Sequence, residues 1–237
     1  MRKILISLVI ISLISVIVIG ATKAYFSDLE RSTNNRMTAG SLDLKIDLQC
    51  EDTNCDFSLR DLNGEVFFYD CDIKPGDSGE VTISWHVDNN AWARIRLAEI
   101  VDYENGCEEP EREAGDLTCG DPGNGEGELD DHLLFTFWMD EGEVSGWQCP
   151  DNGPCDQDPK EGDNILNGIE SSFAENVPAS ELLEGVVLPS ELIASTVYYL
   201  GMKWKVPPTT ENIIQTDSLV GKIIMEVVQS RNNPNPW

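Results

Sequence analysis

An all-β sandwich is the fold this sequence predicts, on three observations. Several segments alternate apolar and polar residues with a period of two, turn-forming clusters separate them, and neither a βα alternation nor an internal repeat is present. The 237 residues are enough for one large β domain, and a 41% hydrophobic content allows a substantial core. About eight strands with acidic loops between them fit a jelly-roll or Ig-like sandwich with disulfide-tethered loop insertions and a short helix.

The chain opens on a basic Met1-Arg2-Lys3, then an apolar run from Ile4 to Ile19 broken only by Ser7, Ser12 and Ser15. Thr22 and Ala24 place small residues before a cut between Ala24 and Tyr25, which is signal-peptide grammar. The run of about 16 residues is shorter than the roughly 20 a spanning helix needs. Residues 1–24 are therefore expected to direct secretion and to touch a membrane only before cleavage, with an uncleaved N-terminal anchor as the alternative. Residues 25–40 are polar except for Tyr25, Phe26, Leu29 and Met37, and taken alone read as a linker.

A sandwich domain is expected over 41–231. In 41–49, Leu42, Leu44, Ile46 and Leu48 alternate with Asp43, Lys45 and Asp47, a half-buried strand. An acidic loop follows, then a short aromatic strand over 65–69 and a Lys74-Pro75-Gly76-Asp77 turn. Val81, Ile83, Trp85 and Val87 share one face of the next strand, and Asp88-Asn89-Asn90 marks a turn. The strand over 91–101 turns Ala93, Ile95 and Leu97 inward, leaving Arg94 and Arg96 outside to pair with local carboxylates. Residues 102–131 read as a long acidic loop, 133–140 as a core strand and 141–163 as a second acidic loop. Over 165–188 turns surround a short helix, with Ser180 as N-cap and Gly185 as stop. Strands over 196–206 and 219–229 complete the domain, and 232–237 are an exposed tail.

The formal net charge of −27 excludes nucleic acid and anionic lipid as partners held by bulk electrostatics. The seven cysteines Cys50, Cys55, Cys71, Cys107, Cys119, Cys149 and Cys155 all follow the export signal, a pattern of disulfides in an oxidising compartment. Three spacings look local, Cys50/Cys55, Cys107/Cys119 and Cys149/Cys155, while Cys71 has the alternative of pairing with Cys50 or Cys55.

Catalytic signatures are missing. No His-Glu-x-x-His, Gly-x-Ser-x-Gly or phosphate-loop motif occurs, and the two histidines, His86 and His132, stand apart. No enzyme is expected. Asp156, Asp158 and Asp163, with Asp151 and Glu161, have spacing that can wrap calcium, although the EF-hand pattern is incomplete and a solvated acidic loop carries more weight. Trp85, Trp92, Trp138, Trp147 and Trp204 are read as core or sheet-face residues ahead of a sugar-stacking surface.

Three blocks resemble the TasA/camelysin family. They are Ala24-Tyr25-Phe26-Ser27-Asp28 with Thr38-Ala39-Gly40-Ser41-Leu42-Asp43-Leu44; Lys74-Pro75-Gly76-Asp77 with Asp88-Asn89-Asn90; and Asn212, Gln215, Asp217 and Ser218 before a last strand ending at Gln229. The resemblance implies processing by a SipW-type signal peptidase and a secreted jelly-roll that polymerises, with itself or related fibre subunits, into biofilm-matrix filaments. It further implies that the segment freed by cleavage is a donor strand, with Tyr25, Phe26, Leu29 and Met37 filling a groove and Asp28 beside them. The family also contains camelysin, described as a surface metalloprotease. That activity and a monomeric surface adhesin or accessory module are the alternative expectations.

Overall fold

The chain divides into two units, Met1–Gly40 and Ser41–Trp237. A computed structural model describes Arg2, Ile4, Ile6, Ile10 and residues 42–237 apart from 51–56, 66, 69, 71, 120, 121, 151, 152 and 235. The cut between Ala24 and Tyr25, and the segment with Phe26, Asp28, Leu29 and Met37, lie outside the described residues. So do Cys55, Cys71 and the side chain of Cys50. Among the described residues, no helix is long and apolar enough to cross a membrane.

The second unit is an all-β sandwich. Its strands, among the described residues, are β1 (Leu44–Cys50), β2 (Phe57–Arg60), β3 (Ser78–Val87), β4 (Ala91–Glu104), β5 (Gly123–Asn124), β6 (Leu134–Met139), β7 (Ser172–Pro178), β8 (Val186–Val187), β9 (Val197–Lys205) and β10 (Ser218–Gln229). Two short helices, α1 (Glu109–Ala114) and α2 (Leu129–His132), lie between β4 and β6. One sheet has the order β2-β1-β3-β9-β6-β7, and the other is built on β4, paired with β10 on one side and with β8 and β5 on the other. Every pairing is antiparallel.

Period-two alternation builds the core. Val81, Ile83, Trp85 and Val87 of β3 and Leu200, Met202 and Trp204 of β9 pack in one cluster with Ala91, Ala93, Ile95 and Leu97 of β4. Phe135, Phe137 and Met139 join from β6. The tight Asp88-Asn89-Asn90 turn separates β3 from β4 and sends them to different sheets. Burying the apolar face of each strand supplies the main folding force, at about 25 cal/mol per Å².

Part of the outer face of the six-stranded sheet, over β3, β9 and β6, is also covered. Trp138 is 1% exposed although it neighbours the inward Phe137, because it lies across β9 at Gly201. A Cβ on Gly201 would stand 2.0 Å from the Trp138 ring. The acidic segment after β6 closes over this face: Thr82 donates its hydroxyl to Asn164 Oδ1 at 2.8 Å, and a Cβ on Gly162 would meet the Tyr199 ring at 2.8 Å.

Several expectations from sequence are corrected. Among the described residues of 65–69 there is no strand; the strand beside β1 is Phe57–Arg60, and Phe67 is a buried residue in a bend. Residues 102–131 are not one long loop: β4 continues to Glu104, and α1, β5 and α2 follow. Residues 165–188 hold β7 and β8, because β6 needs an edge partner and finds it in Ser172–Pro178. Ala179–Glu181 is a single 3-10 turn, and Ser180 does not cap it but donates its hydroxyl to Asp131 Oδ1 at 2.6 Å. His132 ends α2. The C-terminal tail docks on the sandwich: Trp92 Nε1 donates to the Asn233 carbonyl at 2.8 Å, and the Arg94 guanidinium stands 4.2 Å from the Trp237 ring. Arg94 and Arg96 pair with Glu226 across β4 and β10, in line with the outward placement read from the alternation.

Gly201→Ala is expected to lower stability by about 1–3 kcal/mol or more, the range for overpacking a filled site. Urea unfolding with an unchanged midpoint would show that Trp138 does not need the missing side chain.

Candidate functional site

Two features of the domain remain once the core is accounted for: an open sheet edge and a set of buried carboxylates. Among the described residues, β10 pairs with β4 alone, so one side of a twelve-residue strand carries backbone groups with no strand against them. Leu219, Ile223, Met225 and Val227 pack on the core but are only partly buried, and Val220 is 59% exposed. A long apolar edge strand of this kind is a surface that accepts another strand.

The carboxylates are placed by a bulge. Ala91, Ala93, Ile95 and Leu97 face the core at odd positions, but beyond the bulge it is Asp102 and Glu104, at even positions, that are buried. Between the pairs Val220↔Val101 and Lys222↔Ala98, β4 carries one residue more than β10, and Glu99 has a φ of 50°. The extra residue reverses the side-chain alternation and turns two acids inward.

Four further acids meet them. Glu111 comes from α1, where it forms a capping box by accepting the Glu108 N–H at 2.9 Å. Asp116 follows the left-handed Gly115 that ends α1. Glu128 precedes α2, and Asp217 precedes β10. The disulfide Cys107–Cys119 closes the segment that carries Glu111 and Asp116. Ligand-capable oxygens of Glu104, Asp116 and Glu128 all lie within 4.8 Å of one another, and so do those of Glu104, Glu111 and Asp217.

Donors are too few for these oxygens. Asp102 Oδ1, Glu104 Oε2, Asp116 Oδ2, Glu128 Oε2 and Asp217 Oδ1 are shut away from solvent and have no hydrogen-bond partner among the described residues. Two hydroxyls are shared. Thr118 Oγ1 stands 2.7 Å from Asp116 Oδ1 and 3.0 Å from Glu128 Oε1. Thr216 Oγ1 stands 3.1 Å from Glu104 Oε1 and 3.2 Å from Glu111 Oε1. Each hydroxyl has one proton to give. Among the described residues no Lys, Arg or His forms an ion pair with any of the six acids. Two carboxylates about 4 Å apart repel by roughly 4 kcal/mol at an effective dielectric constant of about 20. Burial, and then the neighbouring acids, push Asp102 and Asp217 up to about 7 and also raise Glu111 and Glu128. Asp116 is likewise pushed up by burial, but the hydroxyl and N–H of Thr118, with the Cys119 N–H and the Glu104 carboxyl, together more than offset this and hold it low.

A second group of acids, in the segment after β6, is arranged differently. Asp158 accepts the N–H groups of Glu143 at 2.7 Å and Val144 at 2.5 Å on Oδ2, and that of Lys160 at 3.1 Å on Oδ1. Asp140 accepts from Gly162 and Asn164, and Glu161 accepts the Cys149 N–H on both oxygens at 3.1 Å. These side chains tie the loop together with Cys149–Cys155, the second disulfide present at a spacing that looked local in the sequence. Gly142 has a φ of 70°, and a Cβ there would stand 2.5 Å from Asp158 Oδ2.

The calcium candidates read from sequence therefore sit in this loop. Asp158 is buried with both oxygens occupied by N–H groups; Asp163 accepts from the Ile165 N–H at 2.9 Å; Asp156 is exposed. Among the described residues, the clusters of three acids close enough to share an ion lie instead around Glu104: Glu104, Glu111, Asp116 and Glu128 fall in 102–131, expected to be one acidic loop, and Asp217 precedes the last strand. The signal that could have found them was the Asp102/Glu104 spacing at the end of a strand, but only a known bulge turns it inward. His86 is half-buried, with Nε2 3.1 Å from Ser84 Oγ and 3.7 Å from Asp47 Oδ2. Neither His86 nor His132 belongs to a metal-capable group among the described residues.

Compared with known proteins, the chain matches no family model and no curated protein.

Burial raises Glu161 to about 7 from an ordinary 4.5, opposed by the Cys149 N–H and reinforced by Asp158 and Asp140. The folded state then holds a proton that the unfolded chain releases between these values. Its contribution to stability is present below the unfolded pKa and is lost as pH rises toward 7. The thermal midpoint is expected to fall between about pH 5 and pH 8, and Glu161→Gln, which keeps an acceptor for Cys149 without ionising, is expected to fall less, by the equivalent of roughly 1–3 kcal/mol. Parallel pH profiles for the two proteins would refute this.

Proposed function

We propose that this chain is an exported structural protein whose copies join through strand complementation into extracellular filaments, and that it is not an enzyme. The open edge of β10 carries this reading. It offers twelve residues of backbone for pairing and a row of half-buried apolar side chains, Leu219, Ile223, Met225 and Val227, for a second strand to cover. An extended peptide added there gains main-chain hydrogen bonds and buries the apolar row, with alternate side chains entering the sandwich.

The occupant is the segment that export would free. Tyr25, Phe26, Leu29 and Met37 supply apolar groups in an otherwise polar stretch with Asp28 among them. The resemblance of this stretch to the TasA/camelysin family supports the same reading, as does the signal-peptide grammar before it. Two disulfides fit an oxidising destination. The partner is then a second copy or a related fibre subunit, and the processing enzyme is a SipW-type signal peptidase.

Protein beginning at Tyr25 is expected to form filaments in negative-stain images, while protein beginning at Arg36 stays monomeric. Monomers from both, across salt and calcium concentrations, would end the filament reading.

A further inference from the structure

We infer that Glu104, Asp116 and Glu128, flanked by Glu111, Asp217 and Asp102, form a calcium-binding site that pins the loops between β4 and β6 to the start of β10. An acidic cluster alone would not carry this, since the chain is acidic throughout. The second observation is the state of the oxygens. Glu104 is 2% exposed, and its Oε2 has no hydrogen-bond donor. Asp116, 7% exposed, presents an unpartnered Oδ2, and Asp102, 4% exposed, an unpartnered Oδ1. Buried carboxylate oxygens are ordinarily matched by donors, and the second acidic group in this same molecule is matched in that way. The cluster around Glu104 differs from it in leaving one oxygen on each of five carboxylates without a donor while the other oxygen accepts an N–H or a hydroxyl, the condition that a cation corrects.

The donor set chooses the ion. Every candidate ligand is a carboxylate oxygen, which suits a hard cation. Zinc prefers nitrogen and sulfur, the two cysteines beside Glu111 are joined as Cys107–Cys119, and no histidine belongs to the group. Magnesium keeps most of its waters and takes one or two carboxylates in a strict octahedron, whereas calcium accepts six to eight oxygens in irregular arrangements. Three acids within 4.8 Å, with two more sharing Glu104, fit calcium.

The ligands come from the end of β4, the loop after α1, the loop before α2 and the residue preceding β10, so the ion adds a tie among four parts of the chain already linked by the β4–β10 and β4–β5 pairing, two threonine hydroxyls and several N–H groups. This site does not depend on the filament reading.

The test is calorimetric titration of the chelator-treated full chain with calcium chloride, beside the same titration with magnesium chloride and a thermal melt in each. One calcium per chain is expected, with a dissociation constant below about 1 mM, weaker magnesium binding and a midpoint raised by several degrees. Glu104→Gln and Glu128→Gln are each expected to weaken calcium at least about tenfold, and Asp163→Asn, in the other acidic loop, to leave it unchanged. Should the cluster variants fail to fold, the wild-type titration and Asp163→Asn still decide. No calcium binding by wild type up to about 10 mM, magnesium bound as tightly as calcium, or binding lost in Asp163→Asn and kept in Glu104→Gln, would each overturn the site.

Discussion

Acids outnumber bases so heavily in this chain that carboxylates cannot all be paired with lysine or arginine. They also cannot all remain on the surface, because the long segments between strands fold back on the sandwich. Asp102, Glu104, Glu111, Asp116, Asp140, Asp158 and Glu161 are all buried. A buried carboxylate must be protonated, supplied with N–H donors or given a cation. How each one meets that requirement organises everything outside the apolar core.

The two acidic regions meet it in opposite ways. After β6, Asp140, Asp158 and Glu161 act as knots: each gathers N–H groups from loop residues that have no sheet to pair with, and the loop becomes a lid over Trp138 and Tyr199. Between β4 and β6 the acids converge on one another instead. Helix capping uses Glu111 and an aspartate turn uses Asp116 Oδ1, yet five oxygens are left over. Asp217 takes part in this pocket and Ser218 begins β10, so the pocket and the open edge are consecutive in the chain.

Much of the sandwich was legible because period-two alternation is a local signal. Val81 to Val87, Ala91 to Leu97 and Leu219 to Val227 could be assigned to a face from the sequence alone. Two disulfides join cysteines whose short spacings look local in the sequence. What escaped notice depends on partners distant in sequence. β7 has little alternation of its own and is a strand because β6 needs an edge. Trp237 looks like a loose end until Arg94 is brought beneath it. The acidic pocket rests on a single inserted residue near Glu99, a non-glycine residue with positive φ, which no composition or motif announces. The familiar Asp spacing lies in the other loop, where N–H groups already occupy Asp158.

The claim on which this account most depends is that the donor-poor pocket at the end of β4 is completed by a cation. Anomalous diffraction from calcium-soaked crystals of the protein tests it directly. The account predicts one strong anomalous peak among Glu104, Asp116 and Glu128. A map without that peak, or with its strongest peak beside Asp156 and Asp163, would contradict it.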